Sequence, residues 1–561
     1  MRKKYLFILF IFFLSKNTSA QFTRYIVKFK DKAGIPFSIN DPSKFLSPKA
    51  IARRTKQHIA IDEADLPIVS RYVDSVRLSG NVIVVNHSKW FNQICIETSD
   101  AAALAKINSL PFVINTLPAK RLFMRGNLVV RDKFKEQINT ITSPMSPASP
   151  GDYYAYGNSL GQIHIHHGEY LHNKGFQGEG MLIAVIDAGF YHYKTLPAFD
   201  SVRLNHQIVE TYDFVDNEVS VDEDHSHGMM CFSIMAANIP GQLVGSSPKA
   251  NFLLYRSEDV SSESPVEEQY WVAAAERADS IGADLISTSL GYNTFDNPAF
   301  NYTYADMNGH TSLIAKAATL AAKKGMIIVA AAGNEGNNTW HYISTPGDAD
   351  SILTVGAVDG SGVVAGFSSY GPSSDGRIKP TVASVGAGTA ISSISGPVEA
   401  GNGTSFATPN LAGIVACLWQ AFPDFTNMEI IEAVKQSSSV YKTPDNRIGY
   451  GIPDFQKAFD SLSQQRSLRN ALIILGNSKI KLYPNPFKDN FTVLINPDHT
   501  AVGTFRLFDA GGKLYFTKQI PLKEGSLQII NFNEVQALQK GMYILNFSDG
   551  ISKESFKMLE Q

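Results

Sequence analysis

Residues 181–189 read MLIAVIDAG: an unbroken apolar run from Met181 to Ile186, then an acid, then two small residues. An amphipathic helix interrupts such a run every third or fourth position, and a half-exposed strand alternates. A short continuous run rich in β-branched residues suits a strand buried on both faces. The same signature returns at Phe252–Tyr255, at 285–290 (LISTSL) and at 326–333 (MIIVAAAG). Helical segments separate these runs. Ser264-Pro265-Val266-Glu267 has the pattern of a capping box with Pro at the first helical position and opens a helix to Ser280. Another helix starts near Thr311 and is closed by Gly325. Strand–helix alternation with fully apolar strands predicts an α/β domain over residues 156–462, a doubly wound, mostly parallel sheet covered on both faces. In such sheets ligands bind beyond the carboxyl ends of the strands. Asp187, Gly291 and Asn334 fall at or just after such ends.

The flanks differ in kind. Residues 1–20 combine Arg2, Lys3 and Lys4 with an apolar run to Leu14 and small residues at Thr18-Ser19-Ala20, the pattern of a secretory signal peptide. The run is about half of what a membrane-spanning helix needs. Residues 21–122 read as a small α+β unit: YIVKF at 25–29 and QICIET at 93–98 alternate like strands, and Ser99-Asp100 caps a helix through AAALAKIN. Residues 123–155, with SPMSPASPGD at their centre, read as an exposed, cleavable linker. Residues 463–474 read as a second linker, and 475–561 as a small β-sandwich of short alternating strands. With 561 residues the chain is too long for one core. Its 50 basic and 52 acidic residues leave a net charge of -2, and no basic stripe points to nucleic acid. Three cysteines make no disulfide framework, and each sits in an apolar stretch.

Three stretches carry the chemistry. IAVIDAG ends a buried strand with Asp187. DHSHGMMCFSIMAA places His227 before an apolar helical pattern. GNGTSFATPNLAG, residues 401–413, sets Ser405 at a helix start. A serine nucleophile needs a base for its proton, and the base needs a carboxylate to fix its tautomer. In VAAAGNEGN, Asn334 follows a strand end between glycines, where a side-chain amide can donate to a developing oxyanion. Each position also has an ordinary reading as a cap or turn residue. Cys231, close to His227 in sequence, makes thiol reagents expected inhibitors.

Together these stretches resemble the subtilisin-like serine peptidases, whose triad follows the order Asp, His, Ser. The resemblance spans residues 156–462 and implies catalytic roles for Asp187, His227 and Ser405, with Asn334 as oxyanion donor. STSLG at 287–291 is similar to the family's substrate-pairing strand, which implies that Ser289, Leu290 and Gly291 bind substrate backbone. Ala332 and Gly333, with Ala331, are expected to wall the first side-chain pocket, with HYISTP at 341–346 shaping its floor. Met229, Met230 and Thr381 depart from the family's usual residues. HIHH at 164–167 invites a zinc reading that adjacent histidines on one segment do not support. No cofactor is required for the chemistry. Structural calcium is known in relatives, and no loop here identifies a metal site. The first unit resembles an inhibitory propeptide. LYPNPFKDNF at 482–491, FRLFDAGGKLY and KGMYILNF resemble the sorting domain of type IX secretion cargo in Bacteroidetes. The resulting expectation is a secreted, monomeric serine endopeptidase acting on polypeptides, inhibited by its own propeptide and exported by the type IX machinery. The alternative is an inactive binding protein on the same fold.

Overall fold

The structure, a computed structural model, describes residues 22–121, 133–134, 137–141, 150–536 and 538–561. The signal segment and most of the Pro/Ser-rich stretch lie outside the described residues. The chain forms two units, Met1–Phe459 and Asp460–Gln561.

In the first unit, strand β1 (Phe22–Phe29) is followed by helices α1 (Pro48–Lys56) and α2 (Ser70–Arg77), β2 (Ile83–Ser88), β3 (Gln93–Glu97), α3 (Ala101–Asn108) and β4 (Val113–Arg121). The strands form an antiparallel sheet in the order β2-β3-β1-β4. Its core holds Val27, Phe29, Ile94, Ile96 and Ile107. Asp100 caps α3 by accepting from the N–H groups of Ala102 and Ala103. This is the small α+β unit expected from the sequence.

Strand β5 (Gln137–Thr140) follows, then the α/β core. The core contains β6 (Leu182–Asp187), β7 (Ile208–Asp213), α4 (His227–Ala236), β8 (Asn251–Arg256), α5 (Val266–Ile281), β9 (Leu285–Thr288), α6 (Leu313–Lys323), β10 (Ile327–Ala331), β11 (Leu353–Val358), β12 (Val382–Val385), β13 (Ala387–Ser392), β14 (Val398–Asn402) and α7 (Thr404–Ala421). Seven strands form one sheet in the order β12-β11-β10-β9-β6-β8-β7, every neighbouring pair parallel. The strand that opened the sequence reading, β6, lies inside this sheet with all its residues buried. Each such Ile, Val or Leu contributes about 1.5–3 kcal/mol by leaving water. The register places Asp187 beside Arg256 at the carboxyl edge. Strand β5 pairs antiparallel with β14 on the open edge of the β13–β14 hairpin. The stretch read as a cleavable linker therefore contributes a strand to the α/β core, because β14 offers it an unpaired backbone edge.

Two further expectations change. The helix at Ser264 forms only half of its capping box. Glu267 accepts from the N–H of Ser264, but the Ser264 hydroxyl is buried without a partner, because the backbone stays helical at Pro265 and the helix starts at Val266. Residues 463–474 are no linker: they lie inside the 21-residue helix Phe455–Leu475, which buries Leu462, Ala471 and Leu475.

The second unit is strand-rich, as expected. Its seven strands, Ile480–Lys488, Asn490–Ile495, Ala501–Asp509, Leu514–Leu522, Gln528–Phe532, Gly541–Ser548 and Lys553–Glu560, enclose a core of Phe491, Phe505, Phe532, Leu545 and Phe547. The first strand pairs with the second through Ile480–Tyr483 and with the last at Phe487, so one strand serves both halves.

Candidate active site

Asp187 ends β6, where the sheet's carboxyl edge turns into the Ala188-Gly189 loop. Its Oδ1 lies 2.6 Å from His227 Nδ1 and also accepts from the Ala188 N–H at 2.7 Å. His227 is the first residue of α4, and its own N–H donates to His225 Nδ1 at 3.1 Å. Both side chains are fully buried. Gly228 makes this approach possible: a Cβ there would stand 2.5 Å from the Gly189 carbonyl and 2.8 Å from Asp187 Cβ.

Ser405 is the second residue of α7, and its hydroxyl lies 3.5 Å from the Ser289 carbonyl. Pro409, the sixth residue of the helix, has no N–H to give the Ser405 carbonyl, so the proline sits deeper than a first-turn position. Two side chains fill the gap. Ser289 Oγ donates to that carbonyl at 2.7 Å and Cys231 Sγ at 3.3 Å. The pair fastens the start of α7 to α4 and to the end of β9. Cys231 is buried, with its thiol on the Ser405 carbonyl, so while Phe134 covers His227 the expected inhibition by thiol reagents has no exposed sulfur to act on.

Asn334 follows β10. Its Oδ1 accepts from the N–H of Thr404 at 2.8 Å and from the Thr404 hydroxyl at 2.9 Å. With the oxygen so engaged, the amide nitrogen is left to donate into the cleft. That cleft, about 120 Å³, is lined by Ser405, Asn334, Ser289, Leu290, Gly291 and Gly333, among others. Ala331 and Ser344 also line it, while Ala332 does not. The Ala332 N–H donates to the Val355 carbonyl of β11 and its carbonyl accepts from the Ser344 N–H, so its backbone is committed to its neighbours. Thr381 stitches β11 to β12: its hydroxyl donates to the Ile352 carbonyl and accepts from the Thr354 N–H.

Two residues in the cleft were not foreseen from the sequence. The Phe134 ring stacks on His227 at 4.3 Å between centroids, and the Lys133 ammonium pairs with Glu258 at 2.9 Å and with Glu267. Among the described residues, three acid-containing groups could in principle hold a metal ion. One is the Asp187–His227–Cys231 group itself. In another, Asp213, Asp216 and Asp224, the Arg256 guanidinium pairs with each acid, so the site fits a cation already on the chain better than calcium. The third surrounds Lys133. The HIHH histidines diverge: His164 faces Asp152, His166 bridges Pro453 and Ser384, and His167 faces Asp454.

Residues 178–451 match the profile of the subtilase family. The chain is 31% identical over 252 residues to thermitase of Thermoactinomyces vulgaris, spanning 43% of this chain and 76% of that one. The chain belongs to the subtilase family. A thermophilic serine proteinase of Bacillus sp. (strain AK1) is 30% identical over 306 residues, 54% of this subtilase and 67% of the relative. A crystal structure of MycP1 from the ESX-1 type VII secretion system superposes with a TM-score of 0.42 at 22% identity, covering 58% of this chain and 91% of that one. Residues 24–133 match the peptidase S8 propeptide domain of Bacteroidota, and 481–560 a secretion system C-terminal sorting domain. The subtilase is thus a serine-type endopeptidase with a propeptide, and its sorting domain directs it through the outer membrane to the cell surface or beyond.

Proposed function

We propose that this subtilase hydrolyses peptide bonds through an acyl-enzyme on Ser405. His227 Nε2 takes the Ser405 proton as the hydroxyl attacks the scissile carbonyl. Asp187, on the opposite ring nitrogen, fixes the tautomer and stabilises the imidazolium. The oxyanion receives hydrogen bonds from the Asn334 amide and from the Ser405 N–H at the helix start, where the dipole favours negative charge. Returning the proton to the amine releases the first product, and water, deprotonated by the same histidine, frees the second from the ester. The observation that carries this reading is the buried 2.6 Å contact between His227 and Asp187 in the cleft region that Phe134 shares with Ser405.

The propeptide acts on this site from within. Phe134 stacks on His227, and Gln137 pairs with Asn402, three residues before Ser405, which supports a maturation cut between residues 134 and 137. The test is fluorophosphonate labelling of the full chain beside Ser405→Ala, with N-termini read by mass spectrometry. Label on Ser405 alone, and a new N-terminus between residues 135 and 137 that is absent from the alanine variant, are expected. An unlabelled, processed chain would discard the nucleophile.

A further inference from the structure

Glu258, just beyond β8, Glu263 in the following loop and Glu267 in the first turn of α5 converge on one point of the cleft. Glu258 and Glu267 are almost fully buried. What fills the point is the Lys133 ammonium, which touches all three carboxylates, with Glu263 at 3.5 Å. Lys133 is the last residue of the matched propeptide and stands directly before the residue stacked on His227. It therefore enters as an occupying chain segment, in the same cleft as Ser405.

Other groups prepare the pocket for a cation. The Tyr292 hydroxyl donates to Glu258, and the N–H groups of Asp259 and Ser264 hold Glu267 in place. Glu263 Oε1 is buried with no hydrogen-bond partner even with Lys133 seated. Three acids this close, without a cation, are costly to keep charged out of water. Burial already pushes Glu263 up to about 7 despite the ammonium beside it. The pocket that maturation empties is thus poised to take another positive group on an extended chain.

We propose that Glu258, Glu263 and Glu267 form a subsite for a lysine or arginine side chain of the substrate, one residue before the side chain that rests on the catalytic histidine. Arginine fits better than lysine. An ammonium has three donors, here directed to Glu258, Glu267 and the Ser262 carbonyl, whereas a guanidinium has five and reaches the orphan Glu263 oxygen. The propeptide's Lys133 is then a captive copy of the preferred substrate. This inference rests on the peptidase reading above.

The test uses the processed full-length enzyme and a quenched fluorescent peptide, Asp-Lys-Phe-Lys-Glu-Gln-Ile-Asn, copied from residues 132–139. Analogues carry Arg, norleucine or Glu at the position of Lys133. The expected order of kcat/KM is Arg, Lys, norleucine, Glu, with norleucine at least about thirtyfold below Lys, as befits a buried charge left unpaired. In Glu263→Gln and Glu258→Gln the Lys-to-norleucine ratio falls towards one. Equal rates for Lys and norleucine in the parent enzyme overturn the subsite. So does failure to cut any of the peptides by an enzyme that still takes fluorophosphonate on Ser405. Absence of that label instead overturns the peptidase mechanism, so the two failures read differently.

Discussion

Asn334 shows how little of a residue's role its neighbours in sequence reveal. The Gly-Asn-Glu-Gly context suits a turn as well as a catalyst. The role proposed for it follows from Thr404, seventy positions away, which claims the carbonyl oxygen and leaves the amide nitrogen to the cleft. Replacing Asn334 with Ala should lower kcat about 10²–10³-fold, the magnitude known for subtilisin's own oxyanion amide, with little change in KM. Steady-state kinetics on the processed enzyme would check the split. Asp187, His227 and Ser405 were legible because each lies in a short motif whose backbone context is local. Pro409 was legible as a proline, and counting four residues back would have exposed the Ser405 carbonyl as a group needing donors. Their identity, Ser289 and Cys231, comes from separate elements and could only be seen in three dimensions. Of the three residues read as a pocket wall, Ala331 and Gly333 line the cleft and Ala332 between them does not, because consecutive residues at β10's exit face opposite ways.

At the scale of elements, packing of α4 against the end of β6 sets the Asp187–His227 pair. Gly228→Ala should push Asp187 and the Gly189 carbonyl away from α4, since the new methyl finds atoms at 2.5 and 2.8 Å. We expect kcat/KM to fall by about 10²-fold or more, the size of effect that a misplacement near 1 Å brings, while circular dichroism stays native. The strands and core helices were readable from apolar runs. The docking of the propeptide on α5 was not, because it uses buried polar groups. Arg53 and Arg54 of α1 both pair with Asp279, and Glu276 accepts from the Ser88 hydroxyl and from the N–H groups of Lys89 and Trp90. Burial raises the Glu276 carboxyl to about 7 against the pull of the Lys89 charge. Once the propeptide leaves, Glu276 meets water and returns to about 4.3. The docked state therefore holds an extra proton between those values. Docking is strongest below that window and weakens as pH rises through it, by up to about tenfold per pH unit. Size-exclusion of the cleaved but unseparated enzyme at pH 5 to 7.5 should show progressive release, and Glu276→Gln should flatten the dependence.

At the scale of the molecule, the two units have separate cores, and the sorting domain's strands contribute nothing to the catalytic sheet. Removing residues 477–561 should leave an enzyme that folds, processes itself and labels with fluorophosphonate, but stays in the periplasm. Immunoblots of periplasm and medium, beside the labelling gel, separate loss of export from loss of folding. The boundary between the units was blurred in the sequence because a polar helical stretch, SLSQQRSLRN, is as hydrophilic as a linker. Only its apolar spacing at Leu462, Ala471 and Leu475 marks it as packed.

Strand β5 has one more effect. It lies along β14, whose last residue directly precedes Gly403, and under the proposed cut it stays covalently joined to the mature enzyme. The freshly made amino terminus is a leaving product on a leash, with an effective concentration in the millimolar range that dilution does not reduce. Activity should consequently rise after a delay whose length is the same at any enzyme concentration, set by how fast one short strand peels from its neighbour.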